Sequence, residues 1–459
     1  MRDPSTLFFQ QNGLRRTIIF CYWFVVLLAL PLWWSTTSIE RLPLPSGRVS
    51  EQQGKNLDFP IQICSHDFDL TQHLKSANIR LRATCEGTKE TTYFVARGPV
   101  AISADRHLSI PSLDSAAVHL LASLLVIDVT REQHVVPFAP RYQLAFTLLN
   151  EDAAAGPAIT SWDLSSAISR YLQPLLDDLS LLHNFTIESQ VQYHAPLAFS
   201  PTPLESGWGL TAEHLTIFVN SAEWTLASGV SNDPVLHFVL FVPSATRRPL
   251  HVLDSDTSER AAFLVPQWGG ITIFNPDPKL AMHQHLGVDD LGPVFATFTY
   301  QLATLLGVPP LPASAQRQLS CLTMWQRDAL LRYRALTNAN GARDILHSII
   351  TLVDQIANMP VGTEVRADLV HALDELDTTF SSTSLEDVYR ASSHAITLAS
   401  RAFFNPNMLA MLYFPPEHTY AVYTPLFASA LIPLVATAIR EFWAWRKSRK
   451  EGVLRAYGS

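Results

Sequence analysis

The sequence predicts a large α/β domain that continues into a carboxyl-terminal helical bundle, with a transmembrane helix on each side. Three observations predict this fold class: two long uncharged apolar runs near the ends, alternating strand and helix patterns in the middle, and successive amphipathic helical patterns after residue 290. The chain has 459 residues, of which 47% are hydrophobic and 16% charged. Ordinary soluble domains have about 25% charged residues. Two membrane spans would account for the deficit.

The first apolar run covers residues 17–39 and has no charge over its 23 residues. A helix needs about 20 apolar residues to cross the hydrocarbon core of a bilayer. A cleaved signal peptide is the alternative, but its apolar region would be only about 7–15 residues long. The run ends near Trp33 and Trp34, which suit a membrane interface. We therefore predict an uncleaved signal anchor.

The second apolar run covers residues 419–439 and is also uncharged. Pro425 and Pro433 lie inside it, and a membrane helix tolerates proline where neighbouring helices satisfy the freed carbonyl groups. A buried core helix is the alternative. The basic residues that follow the run favour a second transmembrane helix.

Basic residues flank both runs on the side of the chain termini. The tails at residues 1–16 and 440–459 are predicted to be cytosolic, because they carry an excess of Arg and Lys and leave 24 basic and 38 acidic residues between them. The intervening part is then predicted to lie in the lumen of the endoplasmic reticulum (ER). Asn184 begins the sequon Asn184-Phe185-Thr186 and is the predicted glycan site there. The overall net charge of −8 argues against nucleic acid as a partner.

Residues 40–290 are predicted to form a lumenal α/β lobe. Residues 42–56 are rich in Pro, Gly and Ser and predict a linker, and Trp268, Gly269 and Gly270 predict a tight turn. An amphipathic helix is predicted at residues 162–182. Strands are predicted at residues 124–129, 142–149, 185–193, 215–219, 236–242 and 271–274.

Residues 291–418 are predicted to form a lumenal helical lobe. After a helix at residues 294–306, apolar residues recur at helical spacing in four further segments, which predicts an antiparallel bundle with short loops. These segments are residues 322–336, 345–356, 365–376 and 388–402.

Candidate reactive residues are few. Cys64 and Cys85 are the nearest pair for a disulfide, and separate buried thiols are the alternative. His283, His285 and Asp289 have spacing that a metal site would use, but the second half of such a site is missing, and solvated loop histidines are favoured. Cys321 lies in a helical pattern, which favours a buried structural thiol over a nucleophile. The residues therefore predict a scaffold with no catalytic residue, no metal and no cofactor.

Several ordered runs resemble the PIG-S family. They are the run at residues 30–37 with Leu42-Pro43-Leu44-Pro45, the W-G-G run at residues 266–275, and the entry to the second span at residues 404–415 and 420–427. The context of Asn184-Phe185-Thr186 is similar to the family as well. The resemblance covers roughly residues 15–45 and 141–447.

This resemblance implies a non-catalytic subunit of the ER GPI transamidase, which attaches GPI anchors to proproteins. It implies the PIG-K, PIG-T, PIG-U and GPAA families as partners, together with ER membrane lipids, and places the catalytic cysteine on PIG-K. The alternatives are a membrane-tethered lumenal hydrolase or metalloenzyme, motivated only by His283, His285 and Asp289, and an unrelated ER tether or chaperone.

Overall fold

A computed structural model gives the structure of the chain. It describes residues 12–37, 40–65, 79–82, 92–103, 105–112, 114–125, 136–205, 207–219, 233–253, 259–276, 283–311, 322–356, 359–406, 408, 421, 424–425, 427–429, 431–443 and 446. The chain divides into two compact units. The larger comprises Asn56–Thr337 and Ser382–Tyr389, and the smaller comprises Met1–Lys55, Asn338–Ser381 and Arg390–Ser459.

Two helices begin the smaller unit, α1 (Asn12–Thr37) and α2 (Ser46–Gln53). Helix α1 covers most of the first predicted span, and residues 431–443 of the second predicted region are helical. In the described ranges, no helix combines the length and the apolar character that a membrane crossing requires. The two-span topology therefore remains a prediction from the sequence.

Helix α2 lies inside the segment that the sequence predicts to be a linker, so that prediction is wrong over much of its length. The composition of residues 42–56 indicated turns, but a short helix is stable where tertiary contacts support it. Here Arg48 and Lys55 make ion pairs with Asp377, at nitrogen–oxygen distances of 2.9 and 2.8 Å. Sequence periodicity does not report such contacts.

The first sheet of the larger unit has the strand order β2-β1-β3-β5-β4 and is parallel except for β4. Its strands are β1 (Phe59–Cys64), β2 (Ile79–Arg82), β3 (Thr92–Arg97), β4 (Ala101–Ile102) and β5 (His107–Ile110), and helix α3 (Ser115–Leu125) follows.

The prediction of a buried strand at residues 124–129 is wrong for Leu124 and Leu125, which are buried at the end of α3. A short apolar run does not distinguish a strand from the end of a buried helix. The start of the helix has a clear signal, because the backbone N–H of Ala117 donates to Asp114 Oδ1 at 2.8 Å. Residues 126–129 lie outside the described residues.

The next segment places a helical stretch between strands. Its elements are β6 (Arg141–Asn150), β7 (Ala158–Trp162), α4 (Leu164–Ala167), a π-helical turn at Ile168–Leu172, α5 (Gln173–Asp178) and β8 (Asn184–Gln192). The helical stretch falls within the predicted helix at residues 162–182. Pro174 explains the π turn: proline has no N–H, and its ring would clash with the carbonyl four residues earlier in an unbroken α-helix.

The chain then builds a second, smaller sheet and completes the central one. The elements are β9 (Thr202–Leu204), β10 (Gly207–Leu210), α6 (Ala212–Val219), β11 (Val235–Val242), β12 (Leu250–Leu253), β13 (Glu259–Arg260), β14 (Ala262–Val265) and β15 (Gly269–Ile273). The smaller sheet has the order β13-β12-β10-β9, and the central sheet has the order β14-β15-β11-β6-β8.

The prediction of a strand at residues 215–219 is wrong, because these residues lie in α6. The backbone N–H of Leu215 donates to the carbonyl of Thr211 at 3.1 Å, which closes the first helical turn. Thr211 followed by Glu213 in the first turn is a typical helix start, and a segment of five residues, four of them apolar, is too short for its period to decide between strand and helix.

Strand β16 (His283–Leu286) pairs with β7, and α7 (Val288–Leu305) follows it. Helix α7 packs on one face of the central sheet, where Phe146 stacks on both Phe238 and Phe295, and Phe298 packs edge-on against Phe238. The opposite face of the sheet packs against the smaller sheet through a second group of buried apolar residues. This group comprises Leu149, Ala195, Leu210, Val239, Phe241, Leu250, Val252, Ile271 and Ile273.

Three long helices follow, α8 (Met324–Gln355), α9 (Thr363–Ser381) and α10 (Leu385–Phe403). The prediction of two separate helices at residues 322–336 and 345–356 is wrong, because α8 covers both without a break. The apolar spacing is interrupted at residues 337–344, but these residues lie within α8. In the smaller unit, a Cβ atom at Gly341 would lie 2.9 Å from Ile396 Cδ1, so glycine at this helical position permits close packing of α8 and α10.

Candidate functional site at the carboxyl edge of the parallel sheet

The direction in which the chain adds strands to the central sheet reverses between β6 and β11. From β6 the chain passes to β8 on one side and then to β11 on the other, and all these pairings are parallel. In open α/β sheets, the crevice outside the carboxyl ends of the strands at this switch point is the usual ligand site. Here it is bordered by Asn150 and Glu151 after β6 and by Ser244 after β11.

At this edge, Glu151 forms an ion pair with another residue of the same chain, Arg247. Its side chain is buried and accepts from Arg247 Nη1 and, at 2.8 Å, from the backbone N–H of Ser244. Asn150 is equally committed: its side chain both donates to the carbonyl of Ile159 at 2.8 Å and accepts from the Ile159 N–H at 3.1 Å. The two side chains therefore hold neighbouring loops in place, and neither is available as a reactive group.

The W-G-G run forms the turn that enters β15. A Cβ atom at Gly269 would lie 1.9 Å from the backbone oxygen of His237 on β11, so a side chain there is excluded. A Cβ atom at Gly270 would lie 2.0 Å from Oε1 of Gln301, and Nε2 of the same side chain donates to the carbonyl of Phe263 at 3.0 Å. The His237 ring stacks on Trp268 at 4.8 Å between centroids. The run is therefore explained by close strand and helix packing.

His285 and Asp289, two residues of the metal-site alternative that the sequence did not favour, have separate partners in the structure. His285 Nδ1 lies 2.9 Å from Ser161 Oγ, and Asp289 accepts from Arg170 at 2.9 Å. The side chain of His283 lies outside the described residues, and a register shift after Gln284 interrupts the strand alternation that would align the two histidines. Within the described ranges, no group of three His, Cys, Asp or Glu side chains is placed to hold a metal.

Asn184, the predicted glycan site, is exposed and begins β8 at one edge of the central sheet. Its backbone N–H donates to the carbonyl of Pro140 at 2.9 Å, so its main chain is fixed while its side chain faces solvent. Thr186 of the same sequon is exposed. This geometry leaves the acceptor amide accessible.

The residue before the sequon has a very different environment. His183 is 2% exposed, and its Nδ1 lies 2.7 Å from the carbonyl oxygen of Ala139. Burial lowers the pKa of His183 to about 4, against a smaller opposing effect of the Ala139 hydrogen bond. Tyr142 packs edge-on against the imidazole. His183 is therefore neutral near pH 7 and anchors the start of β8.

The predicted disulfide is not tested, because Cys85 lies outside the described residues, as does Cys321. Cys64 is buried at the end of β1. Burial of this residue is compatible both with a Cys64–Cys85 disulfide and with separate buried thiols, the two alternatives that the sequence left open.

Sequence reasoning missed a buried polar network in the larger unit. Asp328 on α8 accepts from the Tyr93 hydroxyl at 2.6 Å and from Arg106 Nε at 2.6 Å, and Arg332 Nη1 donates to the Tyr93 oxygen at 2.7 Å. Burial raises the pKa of Tyr93 to about 12; the positive charge of Arg332 opposes this rise, and the negative charge of Asp328 adds to it. The partners are more than 200 residues apart in sequence, and only helical spacing of Trp325, Asp328 and Arg332 hints at the network.

A family model for Phosphatidylinositol-glycan biosynthesis class S protein matches residues 20–83 and 67–448 of the chain. The chain belongs to the PIG-S family. Among its relatives, the GPI-anchor transamidase component PIGS of Mus musculus is 33% identical over 326 residues, or 68% of this chain, and that of Bos taurus is 34% identical over the same length. The GPI transamidase component PIG-S homolog of Schizosaccharomyces pombe is 26% identical over 96% of this chain and 86% of its own length.

The matched part spans 58% of the length of the mouse and cattle proteins. The family match also covers the whole of the first sheet, which the sequence resemblance at residues 15–45 and 141–447 had left out. The PIG-S run at residues 266–275 is the Gly269 turn with β15.

Proposed function

We propose that this chain is a non-catalytic subunit of the ER GPI transamidase and supports the attachment of GPI anchors to proproteins. The observation that carries the proposal is the PIG-S family match over residues 20–83 and 67–448. Relatives in mammals and yeasts that are named as components of this transamidase support it.

The chemistry of the described residues agrees with a supporting role. At the switch point of the central sheet, where an α/β enzyme would bind its substrate, Glu151 and Arg247 pair with each other. The candidate set of His285 and Asp289 is divided between Ser161 and Arg170. In this proposal the catalytic cysteine belongs to a PIG-K subunit, and the chain itself requires no cofactor.

The proposed topology has two membrane spans, at residues 17–39 and 419–439, with cytosolic tails and the intervening domain in the ER lumen. The charge asymmetry of the tails supports it. Large apolar side chains that face outward in both regions also support it, among them Phe20 at 70%, Leu32 at 68% and Ile432 at 66% exposure. Such surfaces require a cover of lipid or protein.

Glycosylation at Asn184 tests the lumenal placement. Treatment of the full chain with a glycosidase is expected to shift its electrophoretic band by one glycan. Asn184→Gln and Thr186→Ala are expected to remove the shift, and Thr186→Ser, which preserves the sequon, is expected to keep it. An unshifted band in the wild-type chain would contradict the lumenal placement of this strand.

The proposed partners are the PIG-K, PIG-T, PIG-U and GPAA subunits and the lipids of the ER membrane. Purification of the tagged full chain in mild detergent is expected to recover a caspase-like protein and a polytopic membrane protein. Recovery of the chain alone would contradict the proposal.

Two further experiments separate the alternatives. Replacing His283, His285 and Asp289 by Ala is expected to leave GPI-anchor attachment and complex assembly unchanged. Loss of attachment in an intact complex would favour a metalloenzyme. Depletion of the chain is expected to lower the surface display of GPI-anchored proteins, whereas normal display would favour an unrelated ER tether or chaperone.

A further inference from the structure

The central sheet ends in a long edge strand with little protection. Strand β8 runs for nine residues at the end of the order β14-β15-β11-β6-β8 and pairs with β6 in one unbroken register. Its neighbour β6 is buried along most of its length, whereas no residue of β8 is fully buried. Parallel sheets are normally covered on both faces, so an exposed parallel edge strand is unusual.

The hydrogen-bond pattern shows which backbone groups remain at the outer edge. The N–H of Asn184 donates to the carbonyl of Pro140, toward β6. Residues two apart in a parallel strand point the same way, so Thr186, Glu188 and Gln190 also pair with β6. The N–H and C=O groups of residues 185, 187, 189 and 191 then point away from the sheet. Among the described strands, none pairs with this side.

Natural edge strands avoid unwanted pairing by being short, by carrying lysine or proline, or by containing a bulge. Strand β8 has none of these features: its sequence Asn-Phe-Thr-Ile-Glu-Ser-Gln-Val-Gln contains one charge, Glu188, and its register has no shift. Ile187 is 41% exposed on it. A regular edge of this kind provides a template for one more strand.

We propose that β8 binds an extended segment of another protein as an added strand, with a basic residue of that segment facing Glu188. The charge of Glu188 argues against a second copy of this chain. In a two-fold antiparallel pairing centred on the outward groups of residues 185–191, Glu188 would lie opposite its own copy, and like charges opposite each other destabilise a sheet. This inference goes beyond the proposed function and specifies only the chemistry of the partner segment.

Hydrogen exchange of individual amides tests the pairing directly. The N–H groups of Ile187, Ser189 and Val191 are expected to exchange rapidly in the isolated full chain and at least about tenfold more slowly in the detergent-purified complex. Equal exchange in both samples would overturn the proposal. Protection already present in the isolated monomer would assign the edge to a segment of this chain, and protection that depends on its concentration would assign it to a second copy, and both results would overturn the proposal.

A proline at an outward position tests the same edge by mutation. Ser189→Pro removes one outward N–H and no bond to β6, whereas Ser189→Ala keeps that N–H and serves as its control. Ser189→Pro is expected to lower recovery of the complex about three- to tenfold relative to Ser189→Ala, with an unchanged unfolding temperature of the isolated chain. Equal recovery with the two variants would overturn the proposal. The wild-type purification reports on the proposed function independently.

Charge reversal tests the partner's chemistry. Glu188→Lys is expected to weaken assembly more than Glu188→Gln does, because it places like charges opposite each other. Glu205→Lys, at an exposed position outside β8, is the matched control and is expected to have no effect. An effect of Glu188→Lys no larger than that of Glu205→Lys would refute the basic partner residue.

Discussion

Substitution of Gly269 by Ala is expected to destabilise the larger unit severely. Gly269 lies opposite His237 in the pairing of β15 with β11, and a Cβ atom at Gly269 would lie 1.9 Å from the His237 backbone oxygen. The φ angle of Gly269 is +156°, a value that residues other than glycine rarely adopt. The obstacle is backbone in the middle of a sheet, so a change of rotamer cannot relieve it.

The expected magnitude follows from what has to move. Separating β15 from β11 at this point breaks the hydrogen bond from the His237 N–H to the Trp268 carbonyl, at 3.1 Å, and disturbs the ladder beside it. Each lost hydrogen bond costs about 1 kcal/mol, and the unfavourable backbone conformation costs about 1–3 kcal/mol. We expect a total loss of about 3–5 kcal/mol in the free energy of unfolding.

Thermal unfolding of the purified full chain measures this effect, with two variants for comparison. Gly270→Ala is expected to cost less, because the obstructing group is the movable side chain of Gln301. Gly54→Ala is the matched control, because its Cβ atom would meet nothing within 4 Å and its backbone is already helical. Gly269→Ala with an unfolding temperature equal to that of Gly54→Ala would refute the reasoning.

Three further predictions concern titratable groups. The free energy of unfolding is expected to fall by up to about 3 kcal/mol as the pH decreases from 6.5 to 4. The pKa of His183 is about 4 in the folded chain and 6.5 in the unfolded chain, so the unfolded state binds a proton in this range that the folded state does not. His183→Phe is expected to flatten this pH dependence in denaturant titrations. Asp328→Asn is expected to cost about 3–5 kcal/mol, because it removes the buried carboxylate that pairs with Arg106 and accepts from Tyr93; a cost below 1 kcal/mol in the same titration would contradict a buried network. Asp377→Asn is expected to cost less than about 1 kcal/mol, because its pairs with Lys55 and Arg48 are exposed to solvent; salt should reduce even this effect, and a salt-independent loss would contradict that interpretation.

The strongest sequence patterns located the central strands well. The runs at residues 142–149 and 236–242 fall within β6 and β11, because strands buried on both faces consist of nearly continuous apolar segments. The patterns failed where the apolar run was short, as at residues 215–219, which form α6. They also failed where the apolar spacing was interrupted, as at residues 337–344 inside α8.

Much of the site depends on contacts between residues that are distant in the chain. The ion pair of Glu151 with Arg247 and the network around Asp328 have no local signature, because their partners lie about 100 or more residues apart. The W-G-G run is different: the sequence predicted a turn, and the structure adds that Gly269 lies against β11 and Gly270 against Gln301. The proposed function comes from the family resemblance, because no group of reactive side chains among the described residues indicates it.

Complementation in fission yeast tests the central claim most directly, because the S. pombe homologue matches 96% of this chain. Cells depleted of that homologue would express the tagged chain, and surface display of a GPI-anchored reporter would be measured together with the caspase-like protein that co-purifies. A transamidase subunit is expected to restore the reporter and to recover the caspase-like protein. Full expression of the glycosylated chain with neither reporter display nor a bound caspase-like protein would contradict the account.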